Sequence, residues 1–388
     1  MRILLAAERL GHAGGMERYL EIVVPALRAR GATVRILARR IDAAPAGTEA
    51  EVVAWSEEHE PPSAAARSAV ERALSAFAPD VAVAHNVMDA GVVAALRGAP
   101  RLVYHVHDHR PFCPNGDRVF PRSGRICTQP MGRACAVHAL TEGCGYGPRR
   151  RTLALIRRRQ AVRDAIARAE RVVVASEYLA EQAARNGIEQ ERLEVIPLPL
   201  PDEAYAPPGP PPASRAVVFA GRVVPQKGLG SLVRALGRVA PDRRPLLRAF
   251  GAGPQLAAAR DDAARLGVAL EAPGAVEAAT VRAAIDDAAL VALPSLWAEP
   301  FGYTGIEAFA RSRPVVAYDV GGVGAWLADG LNGVAVPRGD EARLAAAIDA
   351  LLADDARRAA LGERARVDAE RYRAEAVVDA LLKTYRDA

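Results

Sequence analysis

Two short motifs bring together residue types that could act on a charged, hydroxyl-rich ligand. The first is Gly221-Arg222, four residues, then Lys227-Gly228. It lies between a predicted strand at 216–220 and a predicted helix at 228–239, so Gly221-Arg222 ends the strand and Lys227-Gly228 opens the helix. Arginine offers a planar fork and lysine a point charge, and the two are complementary on a diphosphate. Free backbone N–H groups at a helix start would add to that binding. The plainer reading is a surface loop with two solvated cations. The second motif is Glu299-Pro300-Phe301-Gly302, four residues, then Glu307. It follows a predicted strand at 290–293 and opens a predicted helix at 302–311. Its two carboxylates suit sugar and ribose hydroxyls as acceptors, and the Phe301 and Gly302 amides at the helix start would face an anion. The plainer reading is a capped helix start and a solvated glutamate.

Histidines and cysteines form two further groups. His105 and His107 alternate along a predicted strand at 102–107 and share a face, with His109 on the loop beyond. Without other information a histidine at a strand end is most simply a satisfied, half-buried imidazole. Cys113, Cys127, Cys135 and Cys144 all fall in a Gly/Pro-rich insertion at 111–148. Four reduced thiols there suit a tetrahedral zinc site that staples the loop, although the spacing lacks the paired Cys-x2-Cys of a zinc knuckle. Disulfides and four unrelated thiols are the other readings, and the lack of an export signal weighs against disulfides. Just after the insertion, the basic helix at 149–171 carries Arg149-Arg150-Arg151 and Arg157-Arg158-Arg159. It reads as a docking face for an anionic bilayer or as a solvated surface whose Leu153, Leu155, Ile156 and Val162 face the core.

The elements that must position these residues alternate throughout. Buried strands are predicted at 2–7, 34–38, 81–84, 102–107 and 172–175, with helices such as 17–30 and 63–77 between them. Short apolar runs between helices indicate parallel sheets covered on both faces. The proline-rich stretch at 197–212 is the strongest boundary in the chain. Beyond it, strands are predicted at 216–220, 247–250, 290–293, 315–318 and 333–336, with helices at 254–266 and 341–352 among others. The division is an N-terminal domain at 1–200, a C-terminal domain at 213–371, and a last segment at 372–388 that returns to the first domain. The expected architecture is α/β, two Rossmann-like doubly wound domains facing across a cleft, with ligands at the carboxyl ends of the strands. With 388 residues the chain is long for one core. Its net charge of +5 suits phosphate-bearing ligands. Aromatic content of 5% and the absence of a strong basic stripe argue against nucleic acid. No apolar run is long enough to span a membrane. The apolar start reads as a first strand, so a cytoplasmic protein is expected.

In this order and spacing the two motifs resemble those of the family-4 glycosyltransferases, which have the GT-B fold. The likeness extends over nearly the whole chain. Gly14-Gly15-Met16-Glu17-Arg18 is similar to that family's Gly-Gly loop, and His85-Asn86 to its His-Asn after the fourth strand. Tyr104-His105-Val106-His107-Asp108 resembles its strand ending in His-Asp. Gly274-Ala275-Val276 resembles its base-contacting loop, and Gly321-Gly322-Val323 its late Gly-Gly-Val. Some members also resemble this chain in the segment from His-Asp to Cys-Pro and the later cysteines.

The resemblance implies a retaining transferase that uses a nucleoside-diphosphate sugar, UDP favoured. Arg222 and Lys227 would hold the diphosphate beside Gly221, Glu299 the sugar hydroxyls, and Glu307 the ribose. Val276 would touch the base, and His107 the donor sugar near the reacting carbon. Gly14, Gly15, Phe301 and Gly302 would complete the donor site, with His85, Asn86, His105, Asp108 and His109 towards the acceptor. The acceptor is a sugar, a lipid-linked group or a small molecule. No Asp-x-Asp motif stands out, so catalysis is expected to need no cofactor, and zinc in the insertion would be structural. The sequence departs from the family pattern at Gly324-Ala325-Trp326, where a carboxylate is common, and at Tyr303-Thr304. The alternatives are another GT-B enzyme (a nucleotide-sugar 2-epimerase or an inverting transferase) and a non-catalytic nucleotide- or sugar-binding protein.

Overall fold

A computed structural model describes residues 1–11, 14–56, 60–145, 149–206, 212 and 214–388, with Arg149 described by its backbone alone. The chain folds into two compact units. One joins Met1–Pro199 to Ala374–Ala388; the other is Leu200–Arg373.

The first unit is built on seven strands: β1 Arg2–Leu10, β2 Thr33–Ile41, β3 Glu49–Val52, β4 Val81–His85, β5 Leu102–Val106, β6 Arg171–Val174 and β7 Leu193–Val195. Their order is β3-β2-β1-β4-β5-β6-β7, and all neighbours are parallel. Ile3, Leu4, Leu5, Ala6 and Ala7 are all buried. Both faces of β1 are therefore covered, which is why it reads as an unbroken apolar run. Over one face, Val23, Val24 and Leu27 of the helix Gly15–Ala29 share a core with Val377, Val378, Leu381, Leu382 and Tyr385 of the helix Ala374–Asp387.

The second unit has β8 Val217–Ala220, β9 Leu247–Phe250, β10 Leu270–Gly274, β11 Leu290–Leu293, β12 Val315–Tyr318 and β13 Gly333–Val336. Their order is β10-β9-β8-β11-β12-β13, again all parallel. In both sheets the order reverses beside the first strand, between β1 and β4 and between β8 and β11. Loops leaving the carboxyl ends there diverge, which opens a crevice.

The structure departs from the sequence-based expectation in several places. β3, β7 and β10 are additional edge strands. β1 continues to Leu10 because Glu8 pairs with Arg39 at 3.0 Å and Arg9 with Asp42 across to β2. The second unit begins at Leu200 and not near 213. Leu200 N donates to Tyr372 O at 2.6 Å, Tyr205 Oη to Ala369 O at 2.8 Å, and Arg373 to Asp202 at 3.1 Å. These bonds bind 200–205 to the end of the second unit, and the returning helix starts at Ala374. Residues 207–211 and 213 of the proline-rich stretch lie outside the described residues. Among the described residues no helix is long and apolar enough to cross a membrane.

Candidate functional site

In the second unit both motifs leave strands at the switch point. Gly221-Arg222 follows β8, and Lys227 ends a 3-10 turn, Pro225–Lys227. The helix begins at Leu229, so Lys227-Gly228 precedes it and does not open it. Gly228 has φ +73°, and a Cβ there would overlap the Pro294 carbonyl. Only glycine lets this turn lie against the end of β11. Leu296 N donates to Gln226 O at 2.8 Å and closes the same contact. Arg222 is exposed.

Glu299 is 4% exposed and heavily bonded. Lys227 Nζ donates to Oε1 and Oε2 at 2.8 Å each, and Ser295 Oγ and Trp297 Nε1 donate to Oε2 at 2.8 Å. Burial alone would raise its pKa. The Lys227 charge, with hydrogen bonds from Lys227, Trp297 and Ser295, outweighs burial and holds the carboxyl below its usual range. The Gly321-Gly322 loop seats its backbone. Gly322 N donates to Glu299 O at 2.6 Å, and a Cβ on Gly321 would overlap that carbonyl.

Gly302 is the N-cap at φ +102°, outside helical space, so the helix is Tyr303–Ala310. The amides that open it therefore lie beyond Phe301 and Gly302. Phe301 is buried, and its carbonyl accepts from Trp326 Nε1 at 2.7 Å. Trp326 closes the Gly324-Ala325-Trp326 segment that follows the late Gly-Gly-Val. Here its indole braces this turn, lying against Gly305 and edge-on to Phe309. Glu307 is buried in the second turn. Val276 follows β10, half-buried, just past Gly274. The sequence reading missed Gly251 and Gly253, which follow β9. A Cβ on either would overlap backbone of Gly221 or Val223. The Gly-x-Gly spacing at a strand end is the signal that could have found them.

In the first unit the carboxyl ends of β4 and β5 assemble three imidazoles. His85 Nδ1 lies 3.0 Å from His107 Nε2, and ring nitrogens of His85, His105 and His107 all lie within 4.8 Å of one another. Tyr19 Oη is 3.5 Å from His105 Nδ1, and Tyr385 Oη is 3.0 Å from His105 Nε2. Such a spacing would let a metal ion bridge three rings. Here, however, the tyrosines engage both nitrogens of His105, and His85 and His107 bond each other. Burial depresses all three, His107 to about 4, so the cluster is neutral at neutral pH. His85 Nε2 is buried without a partner. An unmet buried N–H is rarer than an unmet acceptor, so the proton belongs on His85 Nδ1 and that of His107 on its own Nδ1. Asn86, at φ +50°, accepts from His107 N at 2.9 Å.

Asp108 and His109 stand apart from the cluster. Asp108 accepts from Arg110 at 2.8 Å, and His109 meets Tyr178 edge-on. Gly14 and Gly15 start the first helix. The basic helix spans Arg149–Ile166. Leu155, Ile156 and Val162 are buried as expected, but Leu153 is exposed and Arg159 buried. Arg157 and Arg158 line a cavity of about 170 Å³ with Met88 and Asp89. The four cysteines are free thiols. Burial, then the charges of Cys113, Cys127 and Cys135, push Cys144 up to about 12.

The model for group 1 glycosyl transferases matches residues 203–368, and that for glycosyltransferase family 4 matches residues 13–203. The chain belongs to the family-4 glycosyltransferases. Among curated relatives of this chain is the D-inositol 3-phosphate glycosyltransferase of Segniliparus rotundus, 38% identical over 46% of this chain and 41% of its own length. That of Rhodococcus opacus is 33% identical over 58% and 54%. The phosphatidyl-myo-inositol mannosyltransferase of Mycolicibacterium smegmatis is 34% identical over 46% of each. The chain thus spans about half or less of the length of these relatives. Among solved structures, Anabaena Alr3699/HepE in complex with UDP-glucose aligns over all of both chains at a TM-score of 0.74 and 20% identity. WaaG, a glycosyltransferase of lipopolysaccharide biosynthesis, does so at 0.70 and 17%. At those identities the likeness is one of fold, the GT-B fold.

Proposed function

We propose that this glycosyltransferase moves a sugar from a nucleoside-diphosphate donor, UDP favoured, to a hydroxyl acceptor with retention at the anomeric carbon. The observation that carries the reading is the Lys227–Glu299 pair at the β8/β11 switch point, held by Gly228 against Pro294 and by Ser295 and Trp297. Arg222 and Lys227 take the diphosphate, Glu299 the sugar hydroxyls, Glu307 the ribose and Val276 the base. Support for UDP comes from the Anabaena neighbour, whose complexes hold UDP and UDP-glucose. Support for transfer comes from the names of the relatives.

In the reaction the bond from the anomeric carbon to the leaving phosphate breaks. The bond to the acceptor oxygen forms on the same face, and the acceptor proton passes to the leaving phosphate. Charge grows on that phosphate in the transition state, where fixed cations act most strongly. A polar, metal-independent clamp suffices for this step. The exposed Arg150, Arg151 and Arg157 suit contact with an anionic bilayer on the cytoplasmic side.

The test is nucleoside diphosphate release from a panel of UDP-, GDP- and ADP-sugars, with and without simple hydroxyl acceptors. Turnover or slow donor hydrolysis with one base is expected. Lys227→Ala should lower it roughly 10²–10³-fold while the fold persists. Tight donor binding with neither transfer nor hydrolysis overturns catalysis, and a near-normal rate in the variant overturns the clamp.

A further inference from the structure

The segment after β5 has little to hold it together. Across 121–145, Met131 is the one buried residue. The helix Arg133–Thr141 buries no side chain, and its Val137 and Leu140 are exposed. Where a core would lie, Phe120, Ile126, Ala134 and His138 line a cavity of about 370 Å³. The backbone is nonetheless specific. Val119 and Ile126 form an antiparallel bridge, and Cys127 N donates to Arg118 O at 2.7 Å. A segment with so little apolar burial needs another staple.

All four cysteines of the chain are here, one from each local element. Cys113 accepts from Gly116 N in a turn, Cys127 closes the hairpin, Cys135 lies in the first turn of the helix, and Cys144 follows that helix, donating to His138 O. Each thiol is half-buried and none is in a disulfide. Arg118 is 1% exposed. It donates to Phe112 O and Gln129 O, tying the approaches to Cys113 and Cys127, while its Nε is buried with no partner.

We propose that Cys113, Cys127, Cys135 and Cys144 bind one Zn²⁺ as a tetrahedral tetrathiolate that takes the place of a core in this segment. Four soft thiolates select zinc and fill its coordination, which makes the site structural. Binding releases the four thiol protons and leaves a net charge of −2. The Arg118 guanidinium offsets that charge, and its unpartnered Nε–H is available to a ligating sulfur. The three imidazoles at β4 and β5 are the competing metal site: among the described residues they are the group whose ligand atoms already lie within 4.8 Å of one another, whereas the thiols must draw closer to take the ion, and the test separates the two.

Full-length protein is purified without added zinc or chelator, and its metals are measured by mass spectrometry. About one equivalent of zinc is expected. Cys113→Ser and Cys144→Ser should each lower it below about a tenth of an equivalent. His85→Gln should keep it. If the serine variants do not fold, a mercurial titration of the wild type replaces them, and zinc should leave in step with the blocking of four thiols. Any of four outcomes overturns the proposal: less than about a tenth of an equivalent in the wild type, iron in place of zinc, two disulfides in the unreduced mass, or zinc lost from His85→Gln but kept in the serine variants.

Discussion

Lys227 and Glu299 hold each other before any ligand arrives, so an incoming diphosphate shares an ammonium that is already fixed in place. Such preorganisation lowers the cost of ordering the cation at the moment of reaction. The histidine cluster has a measurable signature of its own. The folded chain holds His107 near 4, below its ordinary 6.5, so the unfolded chain takes up a proton first as pH falls. That contribution to stability is full above 6.5 and is lost progressively down to about 4. Thermal melts should therefore fall more between pH 6.5 and 5 for wild type than for His107→Gln, and parallel curves would refute the assignment. Glu299, held below its usual range, loses its contribution only in a more acid window. At this scale the two motifs were legible because each is local. Tyr19 and Tyr385 were not: they reach His105 across 86 and 280 residues, and no spacing announces such a contact.

The strands of both sheet centres could be read because burial on two faces leaves only apolar residues there. The edges could not. β3 is Glu-Ala-Glu-Val and β7 is Leu-Glu-Val, half-solvated and too short for a pattern. The helix starts shifted for a different reason: Gly228 and Gly302 have positive φ, so each is the cap before its helix and not its first residue. This makes a paired test of the β8 loop. Gly228→Ala adds a strained φ and an overlap with Pro294 O, and should cost about 2–4 kcal/mol. Gly330→Ala has a similar φ but nothing within 4 Å, and should cost about 1 kcal/mol. Denaturant melts compare them, and equal losses would mean that the loop does not need its close approach to β11.

At the scale of the molecule, the first unit is discontinuous in sequence and the second is not. Ending the chain at Arg373 removes Val377, Val378, Leu381, Leu382 and Tyr385 from the first core. At about 1.5–3 kcal/mol each, their loss matches the whole stability of a typical domain. Limited proteolysis of that truncation should degrade the first unit and leave a resistant fragment near 200–373, and equal resistance of both would refute the division. The histidine cluster would go with the first unit, since Tyr385 is one of its hydrogen-bond partners.

The same discontinuity sets an order of events at the ribosome. The first unit lacks the helix Ala374–Asp387 until the second unit has been made. At roughly 5–20 residues per second that delay is roughly 10–40 s. Until then the part of the core that the helix Gly15–Ala29 shares with the helix Ala374–Asp387 lies open, although β1 and β2 cover the rest of its apolar face, and the contiguous second unit, complete at Arg373, can close first. The nascent chain therefore finishes its later unit before its earlier one, and the apolar face left waiting on the first is a natural landing place for a chaperone.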